Sequence, residues 1–277
     1  MTKIIAFFKL IRWPNLVMLG LVQFIARFVF VPNLSIFNLI LVSTATILIA
    51  TGGYLINDFK DFEIDIINGK TSFLKRPTLR NLAFIFTTLG LAIGFYLSFL
   101  STFLLYPLFV FAFVILWSYA FIFSKYKIIG NILISILIAE AIFIIPFFEY
   151  LFSTDFFPSA SIKIIEYIIL AFLFNWLREI VKDLEDQKGD SLFSRKTLPI
   201  IFGEFFTKIL VTILIVSINI FLYQSYLGKN NFVLIPIAIS SLILIFGIFQ
   251  AHDTKEFKRA SMFIKLMMLF GLLSPLF

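Results

Sequence analysis

Apolar runs of roughly 20 residues, each enough to cross about 30 Å of hydrocarbon, follow one another along this 277-residue chain. Only short polar stretches separate them, so a soluble domain has no room to form. With 61% hydrophobic and 14% charged residues, the composition excludes an ordinary soluble globular protein. The expected architecture is all-α, a polytopic membrane protein of about nine transmembrane helices in one domain over 1–277.

The spans expected are 15–32, 36–57, 81–100, 103–123, 129–150, 163–183, 200–224, 232–251 and 260–277. Pro32-Asn33, Pro107, Pro158-Ser159 and the run Gly228 to Asn231 mark breaks between them. Two connections are longer and polar, from Asp58 to Arg80 and from Asp183 to Pro199. Lys3, Lys9 and Arg12 precede the first long run, which lacks a small-residue cleavage site, so it reads as a retained helix. The absence of cysteine excludes disulfides, thiolate chemistry and Cys-ligated zinc.

Lys and Arg cluster in the N-terminal segment and after helices two, four, six and eight, whereas the opposite connections hold little beyond Lys163 and Lys229. By the positive-inside rule the N-terminus and charged loops are cytoplasmic in a cell membrane, and an odd number of spans puts Phe277 outside. The net charge of +7 is therefore mostly a topological signal. It requires no nucleic acid, and it suits an anionic substrate and an anionic lipid leaflet.

Two acidic motifs break the apolar pattern. Asp58, Asp61 and Asp65 each have a counterpart 125 positions later, at Asp183, Asp186 and Asp190. Both triads follow an even-numbered helix, an arrangement expected of an internal pseudo-repeat, roughly 1–125 and 126–277. On a continuous helix, positions i, i+3 and i+7 fall within about 60° of one another, which would point each triad to one side, with Asn57 beside the first. Acids near hydrocarbon are costly and repel each other, so a cation belongs between them. A hard divalent ion such as Mg²⁺ suits, since it shares oxygen ligands between carboxylates and substrate phosphates. Solvated loop acids or an ion relay are the other readings of the carboxylates.

Basic residues narrow the choice. Arg76, Lys125, Arg178 and Lys182 lie in or beside the same connections, and metal together with Lys and Arg is what holding a diphosphate requires. Positive-inside residues without a site role would have the same positions. An allylic cation left by departing diphosphate needs water excluded and aromatic faces nearby. Tyr54, Trp117, Tyr119 and Trp176 lie close in sequence to the charged ends.

The segments Asn57–Asp65 (NDFKDFEID) and Asp183–Asp190 (DLEDQKGD) resemble the two signatures of the UbiA superfamily of intramembrane prenyltransferases. The similarity extends to Leu10-Ile11-Arg12 with Asn15, Lys75-Arg76-Pro77, Trp117-Ser118-Tyr119 through Lys125, Gly130-Asn131, Arg178 to Asp183, and Thr197-Leu198-Pro199. The resemblance implies helices around a central cavity capped by two cytoplasmic loops. It implies that Asn57, Asp58, Asp61, Asp65, Asp183, Asp186 and Asp190 hold Mg²⁺ and a prenyl diphosphate. It places Arg76 and Lys125 on the diphosphate, with Arg12, Asn15, Asn131, Arg178 and Lys182 as further substrate-binding residues.

The run Arg178 to Asp186 is most similar to the branch that transfers geranylgeranyl to geranylgeranylglyceryl phosphate, a lipid acceptor. Branches that prenylate aromatic acceptors such as 4-hydroxybenzoate or homogentisate share the chemistry. An ion-coupled transporter and a non-catalytic lipid-binding scaffold are the rival classes. His252, the one histidine, reads as a solvated loop residue, since attack on an allyl cation needs only weak base assistance.

Overall fold

The computed structural model describes residues 3–67, 74–150, 159–225 and 234–273. Pro158, the run 228–231 and Phe277 lie outside them. Among the described residues there is no strand. The helices are α1 (Lys3–Leu10), α2 (Trp13–Phe30), α3 (Ile36–Lys60), α4 (Phe62–Ile67), α5 (Arg76–Leu100), α6 (Tyr106–Ser118) and α7 (Lys127–Tyr150). Then come α8 (Ser159–Leu192), α9 (Leu198–Phe202), α10 (Glu204–Ser225), α11 (Leu234–Gln250) and α12 (Thr254–Leu273). Among the described residues six helical stretches are long and apolar enough to cross a membrane, and α11 is a shorter apolar helix. Large side chains such as Phe99, Phe205, Leu242 and Phe246 stand exposed, as lipid-facing residues do. The chain is an integral membrane protein.

The described residues of the expected spans are largely helical, with three informative differences. The segment expected at 200–224 is split at Gly203, whose φ of 87° a residue with a Cβ rarely adopts. Helix α12 starts at Thr254, ahead of the expected 260, because Asp253 and Glu256 cap it reciprocally. Glu256 N–H donates to Asp253 Oδ1 at 2.8 Å, and the backbone N–H of Asp253 donates back to Glu256 Oε2 at 3.3 Å, with the His252 N–H on the same oxygen at 2.7 Å. His252 itself is exposed. Helix α8 continues through the second acidic motif to Leu192, so the motif is helical and not a loop.

The chain forms two compact units. The first comprises Met1–Phe123 with Glu140–Ile164, and the second Ser124–Ala139 with Ile165–Phe277. In the first, Ser35 caps α3 by accepting from the Asn38 N–H at 3.1 Å, and α3 then packs closely along α5. The approach needs glycine at two points. A Cβ on Gly52 would sit 3.0 Å from the Ala83 carbonyl oxygen, and one on Gly90 would sit 2.8 Å from that of Ala45. Without a hydrophobic drive between helices in lipid, such small-residue contacts carry the packing. Leu55, Ile56, Leu79 and Ala83 are buried together and form a firm base below the first acidic motif. In the second unit, Leu177, Ile180 and Val181 of α8 share a core with Val211, Ile215, Ile248 and Ile264. There buried Lys208 donates to the Ala251 carbonyl at 2.6 Å, satisfying the end of α11.

Candidate active site

The first acidic motif straddles a break. Helix α3 ends at Lys60, and Asp61 takes a bent conformation (φ −83°, ψ 3°) with its N–H bonded to the Asn57 carbonyl at 2.9 Å. Helix α4 then restarts at Phe62, so the one-sided triad expected of a continuous helix does not apply here. Asn57 Nδ2 donates to Asp61 Oδ2 at 3.3 Å, bringing these two motif side chains together. Asp65 falls in α4, and its side chain lies outside the described part.

Two arginines meet this motif. Arg12 is in the left-handed region (φ 55°) between α1 and α2, a conformation costly for a residue with a Cβ. Its guanidinium lies 3.1 Å from Asp58 Oδ1 and 4.8 Å over the Tyr54 ring. Asn15, next to it, donates its backbone N–H to the Arg12 carbonyl at 2.8 Å. Arg76 Nη1 pairs with Glu63 Oε1 at 2.6 Å, and its guanidinium lies 5.0 Å over Phe59. Its Nε is buried with no hydrogen-bond partner, which leaves a donor for an anionic acceptor. Trp117 lies 4.8 Å from Phe84 and 5.4 Å from Phe113, and its indole N–H is buried and unpaired as well. Tyr119 opens a π-helical turn, Tyr119–Phe123, immediately after α6, a distortion often met at functional sites.

The second motif is built differently. Along α8, Asp183 and Asp190 project within about 20° of each other, and Asp186 about 60° to one side. Asp183 and Asp190 are 2% and 4% exposed, whereas Asp186 is exposed to solvent. Lys127, 8% exposed at the start of α7, fills the space beside the buried pair: its Nζ is 2.7 Å from Asp190 Oδ2 and 3.5 Å from Asp183 Oδ1. Asn131 Nδ2 donates to Asp183 Oδ2 at 2.7 Å, and Arg195 Nη1 lies 3.6 Å from Asp190 Oδ1. The polar ladder continues down α7 and α8. Ser135 Oγ donates to the Asn131 carbonyl at 2.7 Å, and Asn175 Nδ2 donates to Ser135 Oγ at 3.1 Å.

Arg178 and Lys182 both reach Glu179, each at 2.9 Å, and Arg178 Nε is buried without a partner. Burial first, then neighbouring Asp186, pushes the Glu185 carboxyl above its usual range, against the pull of Lys258, Lys182 and Arg178. Lys125 is exposed, and its carbonyl accepts the Lys196 N–H at 2.8 Å.

Among the described residues no three acidic or histidine side chains converge into a cage for a metal ion. The donors are all oxygen, from carboxylates and an amide in small groups. That set fits Mg²⁺, which keeps waters and takes one or two carboxylates together with substrate phosphates.

Residues 17–270 match the profile of the UbiA prenyltransferase family. The chain belongs to that family. The digeranylgeranylglyceryl phosphate synthase of Sulfurisphaera tokodaii is 30% identical over 276 residues, covering 94% of this chain and 92% of that protein. The protein of the same name from Methanobrevibacter smithii is 27% identical, covering 96% and 95%. A solved structure from work on digeranylgeranylglyceryl phosphate synthase in membranes overlays with a TM-score of 0.72 at 26% identity, covering 99% of this chain and 98% of that one. A UbiA homolog from Archaeoglobus fulgidus, solved bound to DMAPP and Mg²⁺, has the same fold, with a TM-score of 0.65 at 17% identity over 97% of this chain and 99% of that one.

This UbiA-family prenyltransferase holds several polar residues that sequence reasoning did not single out. Lys127, Ser135 and Asn175 are buried partners of the second motif, and Glu63 and Glu179 pair with arginines expected to serve substrate. A signal was present for two of them: Lys127, Asn131 and Ser135 recur every four residues in an otherwise apolar helix, which puts them on one face. Exposed Lys125, two residues away in the same basic cluster, falls outside that series.

Proposed function

We propose that this UbiA-family enzyme transfers a geranylgeranyl group from geranylgeranyl diphosphate to the hydroxyl of geranylgeranylglyceryl phosphate, in a Mg²⁺-dependent reaction. The observation that carries the reading is the pair of buried, unpaired guanidinium N–H groups, on Arg76 beside the first motif and on Arg178 just ahead of the second. A buried donor without a partner costs roughly 1–3 kcal/mol, and an oxyanion offsets that cost. The choice of acceptor is supported by relatives named for this synthase along nearly their whole length.

Oxygen donors from the two acidic motifs, Asn57 included, would hold Mg²⁺ and diphosphate, with Arg76 and Lys125 as further contacts. Held by these oxygens, Mg²⁺ would supply positive charge to offset that developing on the diphosphate. The C1–O bond of the donor breaks, the electron pair leaves with diphosphate, and the acceptor oxygen bonds to C1 and gives up its proton to the departing diphosphate. Apolar helices and the Trp117 cluster exclude water from the allylic cation. Arg12 and Lys182 suit a phosphorylated acceptor. The N-terminus and both motif segments would face the cytoplasm, and the two halves, roughly 1–125 and 126–277, would be a pseudo-repeat within a single domain.

The test is a product screen by mass spectrometry. Purified protein with Mg²⁺ and geranylgeranyl diphosphate is offered geranylgeranylglyceryl phosphate, 4-hydroxybenzoate and homogentisate. Digeranylgeranylglyceryl phosphate is the expected product. Prenylated aromatics alone would transfer the reading to an aromatic acceptor, and no product with any of them would end it.

A further inference from the structure

Within the second unit, a groove of about 360 Å³ runs between α11 and α12. Buried Leu244 and Ala260 line its floor, and exposed Ile243 and half-buried Phe263 line its sides. A Cβ on Gly247 would meet no atom within 4 Å, so this stretch of α11 has open space against it. From Gln250 to Ile243 the apolar part extends about 10 Å along α11, against about 15 Å of hydrocarbon in one leaflet.

Polarity is confined to one end. Gln250 closes α11 and Arg259 lies in the second turn of α12, both exposed and on the groove. Among the described residues neither side chain has a hydrogen bond or ion pair, and the same holds for Lys255, one turn before Arg259. Like charges at i and i+4 repel, so an anion beside them is favoured. The other charges at this end are engaged elsewhere: Glu256 Oε2 accepts the His252 and Asp253 N–H groups, and Lys258 faces Glu185 electrostatically. Lys255, Arg259, Met262 and Leu266 fall within about 60° of one another on α12, and all four are exposed. One face therefore changes from basic to apolar along its length, as at a headgroup boundary. The groove opens away from the second acidic motif. Lys265, the α12 residue in electrostatic reach of Arg178 and Lys182, lies about 160° around the helix from Phe263.

From this geometry we infer that the α11–α12 groove binds one anionic phospholipid. Lys255, Arg259 and Gln250 hold its phosphate, and one chain lies along Gly247 between Ile243 and Phe263. Charge complementarity selects this occupant, since a basic rim above an apolar slot between membrane helices matches a negatively charged headgroup with its chain. Binding there is independent of the acidic motifs and of prenyl transfer.

The test reconstitutes the full chain in nanodiscs of equal parts phosphatidylcholine and phosphatidylglycerol and weighs the retained lipids by native mass spectrometry. Thermal unfolding is measured in the same nanodiscs. The wild type is expected to keep one phosphatidylglycerol in clear excess over phosphatidylcholine. Lys255→Gln combined with Arg259→Gln should cut that retention about tenfold or more, whereas Arg259→Lys should keep most of it. Gly247→Leu, which fills the groove and leaves both cations, should lose the lipid as well. Lys9→Gln, at an exposed lysine of α1, should change nothing.

Equal retention of the two lipids by the wild type overturns the assignment, and so does a folded double variant or a folded Gly247→Leu that holds phosphatidylglycerol as the wild type does. An excess that Lys9→Gln also removes would mark a general surface attraction and overturn it too. A dimer that Gly247→Leu splits into monomers would give the groove to a second copy of the chain instead. Should Gly247→Leu not fold, the double variant decides, because its two side chains are exposed.

Discussion

The first acidic motif lies across a helix break, and its Asp58 and Glu63 pair with arginines whose side chains are 44% and 40% exposed. The second runs along one uninterrupted helix, and two of its acids are buried against a lysine. Equal spacing therefore produces two electrostatic environments. Near the surface, ion pairs are screened and contribute little. In the interior, an acid persists only if cations and hydrogen bonds replace its water. The first motif accordingly has freedom to adapt to a ligand, and the second is set before any ligand arrives.

Removing a single acid from each motif is the sharpest way to break this contrast. Asp190→Ala leaves Lys127 partly uncompensated and should lower unfolding stability by about 3 kcal/mol, read from thermal unfolding in detergent or nanodiscs. Asp61→Ala should act on turnover instead, cutting kcat by about a hundredfold or more while the melting temperature stays near that of the wild type. A full-speed Asp61→Ala enzyme would remove the first motif from the chemistry. Stripping divalent ions with EDTA should stop turnover in the same assay, and Mg²⁺ should restore it.

A milder prediction concerns the support beneath the first motif. Gly90→Val would drive methyl groups into the Ala45 carbonyl and Ile49, costing about 1–3 kcal/mol with a parallel loss of activity. The smallest effect is expected at Asp58, whose pair with Arg12 is partly exposed. Asp58→Ala should change stability by no more than about 1 kcal/mol, and a loss as large as that of Asp190→Ala would erase the distinction between the motifs.

Much of this was legible in the chain itself. Acids in apolar surroundings are too costly to be kept without purpose, so Asp58, Asp61, Asp183, Asp186 and Asp190 stood out at once. Arg76 and Arg178 were legible for the same reason, and the helices followed from the length of the apolar runs. The break at Asp61 was not, because no glycine or proline marks it. Nor was the pairing of Arg12 with Asp58 and of Arg76 with Glu63, since it depends on where separate segments bring their side chains.

The amino-acid order alone determined a helical, bilayer-spanning chain with a doubled set of oxygen donors, because burial of apolar length and the cost of isolated charge are local properties of composition and spacing. Tertiary structure decided which charges are compensated. Lys125 and Lys127 are the same chemical group two residues apart, but the bend ahead of α7 leaves Lys125 exposed, whereas the first turn of α7 seats Lys127 against Asp183 and Asp190. Burial multiplies the strength of that contact, and burial depends on which faces of α7 and α8 meet.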